Sequence, residues 1–455
     1  MEVVFNKTGH FWFDCGLTGL IKMLEEIDLP KISTHIEDSK FVLDGAADDI
    51  KKALEDAFAL LVDRYYNLST KKQIDDRSSY NFYYDSQKDE FVSFPKKKAV
   101  GIAGIIFDKA ARPTKGMIKW KDPKKHILPD EYKHLQERME KYVKDNGLKI
   151  TTAGLLLDGP NAVQPKLKIA IGEKKRGKYC YLCGEETGSL EDANQTVFPF
   201  ITGSSGILSF NPNAGRPEKV CWRCFMLGKY VPVVGFYSTQ GDSLSIFLPY
   251  STSLKKMCQV HDLLESTKYQ DENLYRNFEH PLGGYYQHPY EVTYSFLYTL
   301  YDRCLLNRLE PGTDEIDLDV EAALDLTTNT APLEFYVIQT KKEGDTFSGK
   351  MIWPFKETLY FFRLHENIEK TIKIRMKEVL SYCVDYEASK NENKTLLRNR
   401  ICERMLKKQS ILDLVERHVF HTNSSYFRPL YEMVLVYELL LKEGDMVFLK
   451  NCLYV

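Results

Sequence analysis

Two pairs of closely spaced cysteines constrain this chain more than any other feature of its sequence. Cys180 and Cys183 form one CxxC pair, and Cys221 and Cys224 form a second. A CxxC turn points two sulfur atoms at one centre, and two such turns complete a tetrahedron of thiolates. The interval between the pairs exceeds the roughly 15–20 residues usual for such sites, which is compatible with an insertion at a ribbon tip. We therefore predict a closed, structural zinc site in a zinc-ribbon region at about residues 175–235.

Other roles for these cysteines fit the sequence less well. Four buried free thiols would not need this double spacing, and a thioredoxin-like redox pair needs only one CxxC. A catalytic zinc keeps one open position and usually mixes histidine or carboxylate ligands with cysteine. Between Ile127 and Cys258 the only histidine is His134. This scarcity argues against a water-activating zinc and against a zinc-braced HNH nuclease.

The composition is that of a globular protein without a membrane segment. Hydrophobic residues make up 43% and charged residues 28% of the chain, and no apolar run approaches the length of about 18 residues that would indicate a membrane span. The N-terminus lacks the basic start and long apolar stretch of a signal peptide. We therefore expect a cytoplasmic protein with reduced thiols and no membrane partner.

Apolar periodicity predicts an α+β fold in two parts. Ile50, Leu54, Phe58 and Leu61 recur at helical spacing, the tyrosine-rich stretch 80–94 favours strands, and the apolar run 99–107 resembles a buried strand. Beyond residue 290, repeated apolar stripes predict helices. We predict a mixed N-terminal domain, residues 1–285, that carries the zinc ribbon. A Gly-, Pro- and Tyr-rich linker leads to a C-terminal, mainly helical domain, residues 286–455.

The net charge of −2 hides a basic segment. Residues 95–180 contain 21 Lys or Arg and 9 Asp or Glu, and a local excess of this kind indicates a partner of opposite charge, most often nucleic acid. A solvated, lysine-rich surface is the alternative. Within the C-terminal part, residues 394–408 are also basic. These features predict nucleic-acid contacts that neutralise phosphates without reading sequence.

The predicted nucleic-acid contacts fall into three groups. Basic residues of the N-terminal domain would contact nucleic acid, and the loops at Lys96–Lys98 and around Lys119–Lys125 are alternative readers of bases; the residues are Lys96, Lys97, Lys98, Lys119, Lys121, Lys124, Lys125, Lys174, Lys175, Arg176 and Lys178. Polar residues of the insertion between the cysteine pairs would read base edges; they are Asn211, Asn213 and Arg216. One face of a C-terminal helix would contact the backbone through Lys394, Arg398, Arg400 and Arg404. A plain surface turn is the alternative for the insertion.

Motifs of common enzymes are absent from the sequence. It contains no P-loop, no HExxH and no GxSxG. His10, Asp14 and Cys15 could form a nucleophile with its base, but residues of such a site usually meet through the fold rather than along the chain. We therefore expect no catalytic activity.

Together these features resemble one known family. The opening GHFWFDCGLTGL, the spaced CxxC pairs after a basic segment and the helical C-terminal part resemble the CRISPR-associated CXXC–CXXC proteins, which are large subunits of the subtype I-B Cascade complex. The resemblance covers essentially the whole chain, and the double CxxC is its specific motif.

The resemblance implies a non-catalytic subunit of an RNA-guided antiviral complex. Such a subunit recognises the protospacer-adjacent motif on double-stranded target DNA, holds the displaced single strand and offers a docking surface to the helicase-nuclease. Its neighbours are the guide RNA and the other Cascade subunits. A zinc-ribbon nuclease, which would need clustered acidic residues that bind magnesium, and a zinc-ribbon transcription or translation factor are the alternatives.

Overall fold

The structure is a computed structural model. It describes residues 1–69, 71–99, 101–106, 112–113, 116–163, 165–174, 177–193, 197–200, 219–240, 242–266, 288–301, 333–343, 346–385, 387–422 and 428–452. These residues divide into two compact units, one within Met1–Phe236 and the other from Tyr237 onward. The boundary near residue 285 that the sequence predicts falls in the range 267–287, outside the described residues, and stays a prediction.

An antiparallel sheet and two helices begin the first unit. The strands are Glu2–Asn6 (β1), Ser33–Ile36 (β2) and Lys40–Asp44 (β3), in the order β1–β3–β2. The helices are Phe11–Glu25 (α1) and Ala47–Leu61 (α2), and a π-helical turn, Val62–Tyr66, continues α2. Ile50, Leu54 and Leu61 are fully buried on α2, which confirms the helix predicted from their spacing.

A second sheet forms a smaller core within the first unit. Its strands are Asn81–Asp85 (β4), Glu90–Phe94 (β5), Gly116–Ile118 (β7) and Leu155–Leu157 (β8). A separate pair of strands is formed by Arg112–Pro113 (β6) and Asn161–Ala162 (β9). The sheet order is β5–β4–β8–β7, and β6 pairs with β9. The helices are Lys71–Asp75 (α3), Gly101–Ile106 (α4) and Gln136–Asn146 (α5), with 3-10 turns at Arg77–Ser79 and Asp130–Leu135. Phe82, Trp120 and Met139 meet in this core.

The strand predicted for residues 99–107 is wrong. The structure has α4 there, with Ile102, Ala103 and Ile106 buried. A short, continuous apolar run has no periodicity that separates a buried strand from a buried helix, so its surroundings decide. The strands predicted for residues 80–94 are confirmed as β4 and β5.

Very short elements carry the two cysteine pairs at the end of the first unit. They are Lys178–Tyr179 (β10), Glu186–Thr187 (β11), Glu191–Asp192 (β12), Lys219–Val220 (β13), Trp222–Leu227 (α6) and a 3-10 turn at Val231–Val233. The strand β10 pairs with β11, and β12 pairs with β13, both antiparallel. Two-residue strands contribute few backbone hydrogen bonds, so other contacts must hold this region together.

The second unit combines an antiparallel sheet with helices. The strands are Phe236–Gln240 (β14), Ser243–Tyr250 (β15), Glu334–Glu343 (β16) and Thr346–Phe355 (β17), in that order across the sheet. The first of these strands begins at the last residue of the first unit. The sequence does not predict β16 and β17, which lie in the part expected to be mainly helical.

Helices lie between β15 and β16 and again after β17, and those of the C-terminal part are as the sequence predicts. They are Leu254–Ser266 (α7), Pro289–Tyr301 (α8), Thr358–Ile372 (α9), Met376–Ser381 (α10), Asn391–Lys394 (α11), Leu396–Leu406 (α12), Leu412–Thr422 (α13) and Arg428–Cys452 (α14). The described chain is therefore a mixed α+β fold with helices toward its C-terminus. None of the described helices has both the length and the apolar character needed to cross a bilayer.

Candidate metal centre

The first cysteine pair lies in the turn of the β10–β11 hairpin. The amide of Gly184 donates to the carbonyl oxygen of Cys180 over 2.9 Å, and the amide of Cys180 donates to the carbonyl of Glu185 over the same distance. Gly184 has a φ of +71°, a conformation that glycine adopts without steric cost. The chain therefore reverses tightly after Cys183 and returns both sulfurs of the pair to one side.

The second pair lies at the start of a short helix. Cys221 follows β13 directly and precedes the first residue of α6, and Cys224 lies within that helix. The amide of Phe225 donates to the carbonyl of Cys221 over 2.9 Å, which closes the first helical turn. One turn of helix thus brings two cysteines three positions apart onto one face.

The four sulfur atoms converge. All four Sγ atoms lie within 4.8 Å of one another, and those of Cys183 and Cys221 are 3.8 Å apart. The amide of Cys221 donates to the Sγ of Cys180 over 3.2 Å, which adds a backbone hydrogen bond to a sulfur. Cys180, Cys221 and Cys224 are buried and Cys183 is half-buried. The arrangement can hold one metal ion in a closed, four-thiolate shell.

Hydrogen bonds among the thiols displace their pKa values in opposite directions. Contact with Cys183 holds the pKa of Cys180 far below the usual thiol value, whereas contact with Cys180 raises the pKa values of Cys183 and Cys224 far above it. The sulfur contacts by themselves thus favour a mixture of thiolates and thiols. A bound cation stabilises the thiolate form of every ligand, so metal binding at this cluster would release protons.

Polar and aromatic contacts tie both cysteine pairs to the first strand of the unit. Glu185 accepts hydrogen bonds from the side-chain amide of Asn6 and from Arg223, the latter at 2.7 Å. Trp222 meets the ring of Phe5 edge-on, with 6.0 Å between centroids. Sequence reasoning missed these supporting residues, because a residue such as Asn6 is distant along the chain from the cysteines and carries no motif.

Two glycines of α1 allow the segment after the second pair to approach closely. A Cβ atom on Gly16 would lie 2.0 Å from the carbonyl oxygen of Leu227, and one on Gly19 would lie 2.3 Å from that of Tyr230. Both contacts involve backbone atoms, which cannot rotate away. Only a residue without a side chain therefore allows α1 to pack against α6 and the turn that follows it.

The structure distributes the basic residues predicted for the N-terminal domain over separate loops. Lys96 and Lys98 are exposed, Lys97 is half-buried, and Lys119 is exposed. Lys121 pairs with Asp130 at 2.7 Å. Asp122 accepts the amides of Lys124 and Lys125 over 3.0 and 3.3 Å, which fixes a turn that exposes both lysines. Lys174 and Lys178 are exposed beside the first cysteine pair. The remaining predicted contacts of this domain lie outside the described residues; they are Lys175, Arg176, Asn211, Asn213 and Arg216.

The basic helix face predicted for the C-terminal part needs correction. Arg398 is fully buried, and its Nε lies 2.9 Å from the carboxylate of Glu291, so it is unable to reach a phosphate. Arg404 is half-buried and pairs with Asp413. Lys394 is half-buried as well, and Arg400 is the only fully exposed member of the four. Charge spacing alone does not separate an exposed arginine from one that a buried carboxylate neutralises.

The candidate nucleophile constellation proves to be structural. The ring of His10 accepts the amide of Trp12 and so caps α1, and burial lowers the pKa of His10 to about 3. Asp14 accepts the amides of Thr8 and Gly9 and pairs with a buried lysine. Burial raises the pKa of the Cys15 thiol, which disfavours the thiolate that nucleophilic attack requires.

Comparison with protein-family models finds no matching family, and comparison with curated proteins finds no matching relative. The resemblance to the CXXC–CXXC family stays a prediction. The functional assignment of this chain therefore rests on its own residues and their contacts.

Proposed function

We propose that Cys180, Cys183, Cys221 and Cys224 bind one structural zinc ion. A tetrahedron of sulfurs around zinc, with bonds of about 2.3 Å, has edges of roughly 3.8 Å. The distance between the Sγ atoms of Cys183 and Cys221 is 3.8 Å, and Cys180, Cys221 and Cys224 are buried. A hairpin and a helix that share such an ion form a zinc ribbon.

We further propose that this protein is a non-catalytic large subunit of a CRISPR type I-B surveillance complex. Its role there is to bind target DNA at the protospacer-adjacent motif, hold the displaced strand and help recruit the helicase-nuclease, beside the guide RNA and the other Cascade subunits in the cytoplasm. The convergence of the four cysteines carries this proposal, since the double CxxC is the specific motif of the resemblance. That motif fits one closed site rather than four separate thiols.

Two further observations support a binding role. Lys124 and Lys125 are exposed on a turn whose backbone is fixed by Asp122, and lysines held in this way attract phosphates without reading bases. Within the described ranges, the four cysteines are the only group of His, Cys, Asp or Glu side chains placed to share a metal ion.

The experiment measures the salt dependence of DNA binding by the purified chain and by paired variants. The variant Lys124→Ala/Lys125→Ala should weaken binding to duplex and single-stranded DNA alike, and should reduce the salt slope by up to about 0.9 for each lost phosphate contact on duplex. Lys51→Ala/Lys52→Ala is the matched control, because these adjacent lysines are exposed on α2, outside the basic segment.

Three outcomes would contradict the proposal at different levels. Binding of neither DNA nor RNA by the wild-type chain removes the nucleic-acid role. Metal-dependent cleavage of DNA, lost on changing a single carboxylate, favours the nuclease instead. Elemental analysis that finds no zinc in protein purified without chelator removes the metal site.

A further inference from the structure

Two exposed tyrosines flank the first cysteine of the cluster. The side chain of Tyr179 is 65% exposed and that of Tyr181 is 36% exposed. Most described tyrosine and phenylalanine side chains are instead buried or half-buried in cores. Exposing a large ring has a cost that a surface position usually avoids by carrying a polar residue, and here two exposed rings lie two positions apart along the chain.

The backbone around both tyrosines is held rigidly. Tyr179 pairs with Glu186 across the β10–β11 hairpin, and the amide of Tyr181 donates to the carbonyl of Lys219 over 3.1 Å. Cys180 lies between them, anchored in the sulfur cluster. Because the two Cα atoms are two residues apart, at most about 7 Å separates them. Rings presented from a fixed backbone lose little conformational entropy when a flat ligand stacks on them.

The carboxylates around this patch are occupied by other groups. Glu173 accepts hydrogen bonds from Thr187, Gly188 and Ser189. Glu186 accepts the amide of Gly177. The remaining carboxylates pair with cations, in the combinations Glu185 with Arg223, Glu191 with Lys168, and Asp192 with Lys219.

Two lysines of the same region have no such partner. Lys174 and Lys178 are exposed, and neither forms an ion pair with any residue in the described ranges. Glu173 accepts hydrogen bonds from Gly188 and Ser189, and these bonds hold the backbone next to Lys174 in place. The patch therefore combines two exposed rings with two exposed lysines, beside the carboxylates of Glu173 and Glu186, whose hydrogen-bond donors are uncharged.

We propose that Tyr179 and Tyr181 stack on the bases of a single-stranded nucleic acid while Lys174 and Lys178 contact its phosphates. We refer to these four residues as the knuckle platform. The inference rests on the proposed nucleic-acid binding and specifies the strand: paired bases have no free faces to offer, whereas unpaired bases stack on aromatic rings regardless of sequence. Two exposed lysines beside the rings favour a nucleic acid over an apolar protein partner, because they can reach phosphates.

The test compares Tyr179→Ala/Tyr181→Ala with a variant that keeps both rings and with a control variant in the second unit. The probes are a labelled oligothymidylate, an abasic strand with the same number of phosphates, and a blunt duplex of the same length. Tyr179→Phe/Tyr181→Phe keeps both rings. The matched control is Tyr382→Ala/Phe420→Ala, which removes two exposed rings from the second unit. Circular dichroism and zinc content check that each variant is folded.

The expected result is a selective loss of affinity for unpaired bases. Removing each ring should weaken oligothymidylate binding roughly 5- to 150-fold, with the salt slope unchanged because no phosphate contact is lost. Binding to the abasic strand and the duplex should stay as in the wild type. The phenylalanine variant and the second-unit control should bind oligothymidylate normally.

The outcomes separate this inference from the proposed function. Wild-type affinity of the double alanine variant for oligothymidylate overturns the knuckle platform and leaves the nucleic-acid role standing. An equal loss on all three probes also overturns it, because stacking acts only on bases. Failure of the wild type to bind any probe removes the proposed function and the platform together.

Discussion

Replacing Gly16 by alanine tests whether the approach of α1 to the metal centre is as close as the structure has it. The new Cβ would lie 2.0 Å from the carbonyl oxygen of Leu227 and 2.7 Å from its carbonyl carbon. Real Cβ atoms stay about 3.0 Å or more from backbone atoms. Helix α1 and the C-terminal end of α6 must therefore separate by about 1 Å, which also moves Cys224 within α6.

Two opposing effects set the size of the change in unfolding free energy. Overpacking of a core costs about 1–3 kcal/mol, and the upper value applies because both contacts are to backbone. Alanine gains about 1 kcal/mol over glycine inside a helix. The net loss of about 2 kcal/mol corresponds to roughly 30-fold in the unfolding equilibrium. For a unit of this size, the melting temperature should fall by about 4–8 °C.

Two measurements follow the change. Thermal unfolding monitored by tryptophan fluorescence reports mainly on the first unit, since Trp12, Trp120 and Trp222 all lie in it. A chromogenic chelator reports on metal loss, which should be faster in Gly16→Ala. Gly116→Ala is the matched control, because its Cβ would meet Leu157 at 3.5 Å, an ordinary contact.

A melting temperature that does not fall on Gly16→Ala would refute the close approach of α1 to α6. Helix propensity alone predicts that Gly16→Ala stabilises the first unit. A melting temperature equal to or above that of the wild type, with unchanged metal loss, would show that α1 and α6 leave room for a side chain.

Three further predictions concern the metal, a buried ion pair and a buried histidine. Cys180→Ser should lower the zinc content below one ion per chain and destabilise the first unit, as measured by elemental analysis and thermal unfolding. Arg398→Ala should destabilise the second unit by about 3–5 kcal/mol, because it leaves the buried carboxylate of Glu291 without its cation. Arg400→Ala, at an exposed position, should change the free energy of urea unfolding by less than about 0.5 kcal/mol. Burial lowers the pKa of His365 to about 4, below the usual value near 6.5 for an unfolded chain. The unfolded state therefore binds a proton first, and stability should fall by about 1.4 kcal/mol per pH unit from pH 6.5 down to about 4. Urea midpoints across this range should show that slope in the wild type and lose it in His365→Gln.

Local patterns predicted the elements whose signal lies within a few residues. Helix α2 follows from apolar positions at helical spacing, and the sulfur cluster follows from two CxxC turns. The strand prediction for residues 99–107 was wrong because a short buried strand and a short buried helix have the same apolar pattern. The strands β16 and β17 were missed although they pair with each other and lie close along the chain; the pairing of β16 with β15 joins segments that are distant along it.

The convergence of the four cysteines was predicted by the sequence itself, because a CxxC turn needs only its own backbone to aim two sulfurs at one point. The exposure of each side chain was decided by the tertiary structure. Arg398 and Arg400 lie two positions apart in one basic segment, yet one is buried against Glu291 and the other is exposed. Tyr179 and Tyr181 likewise resemble any core tyrosine until the hairpin turns them outward. Burial depends on which distant segments pack against a residue, and the identity of those segments depends on the whole chain rather than on the residue's neighbours in sequence.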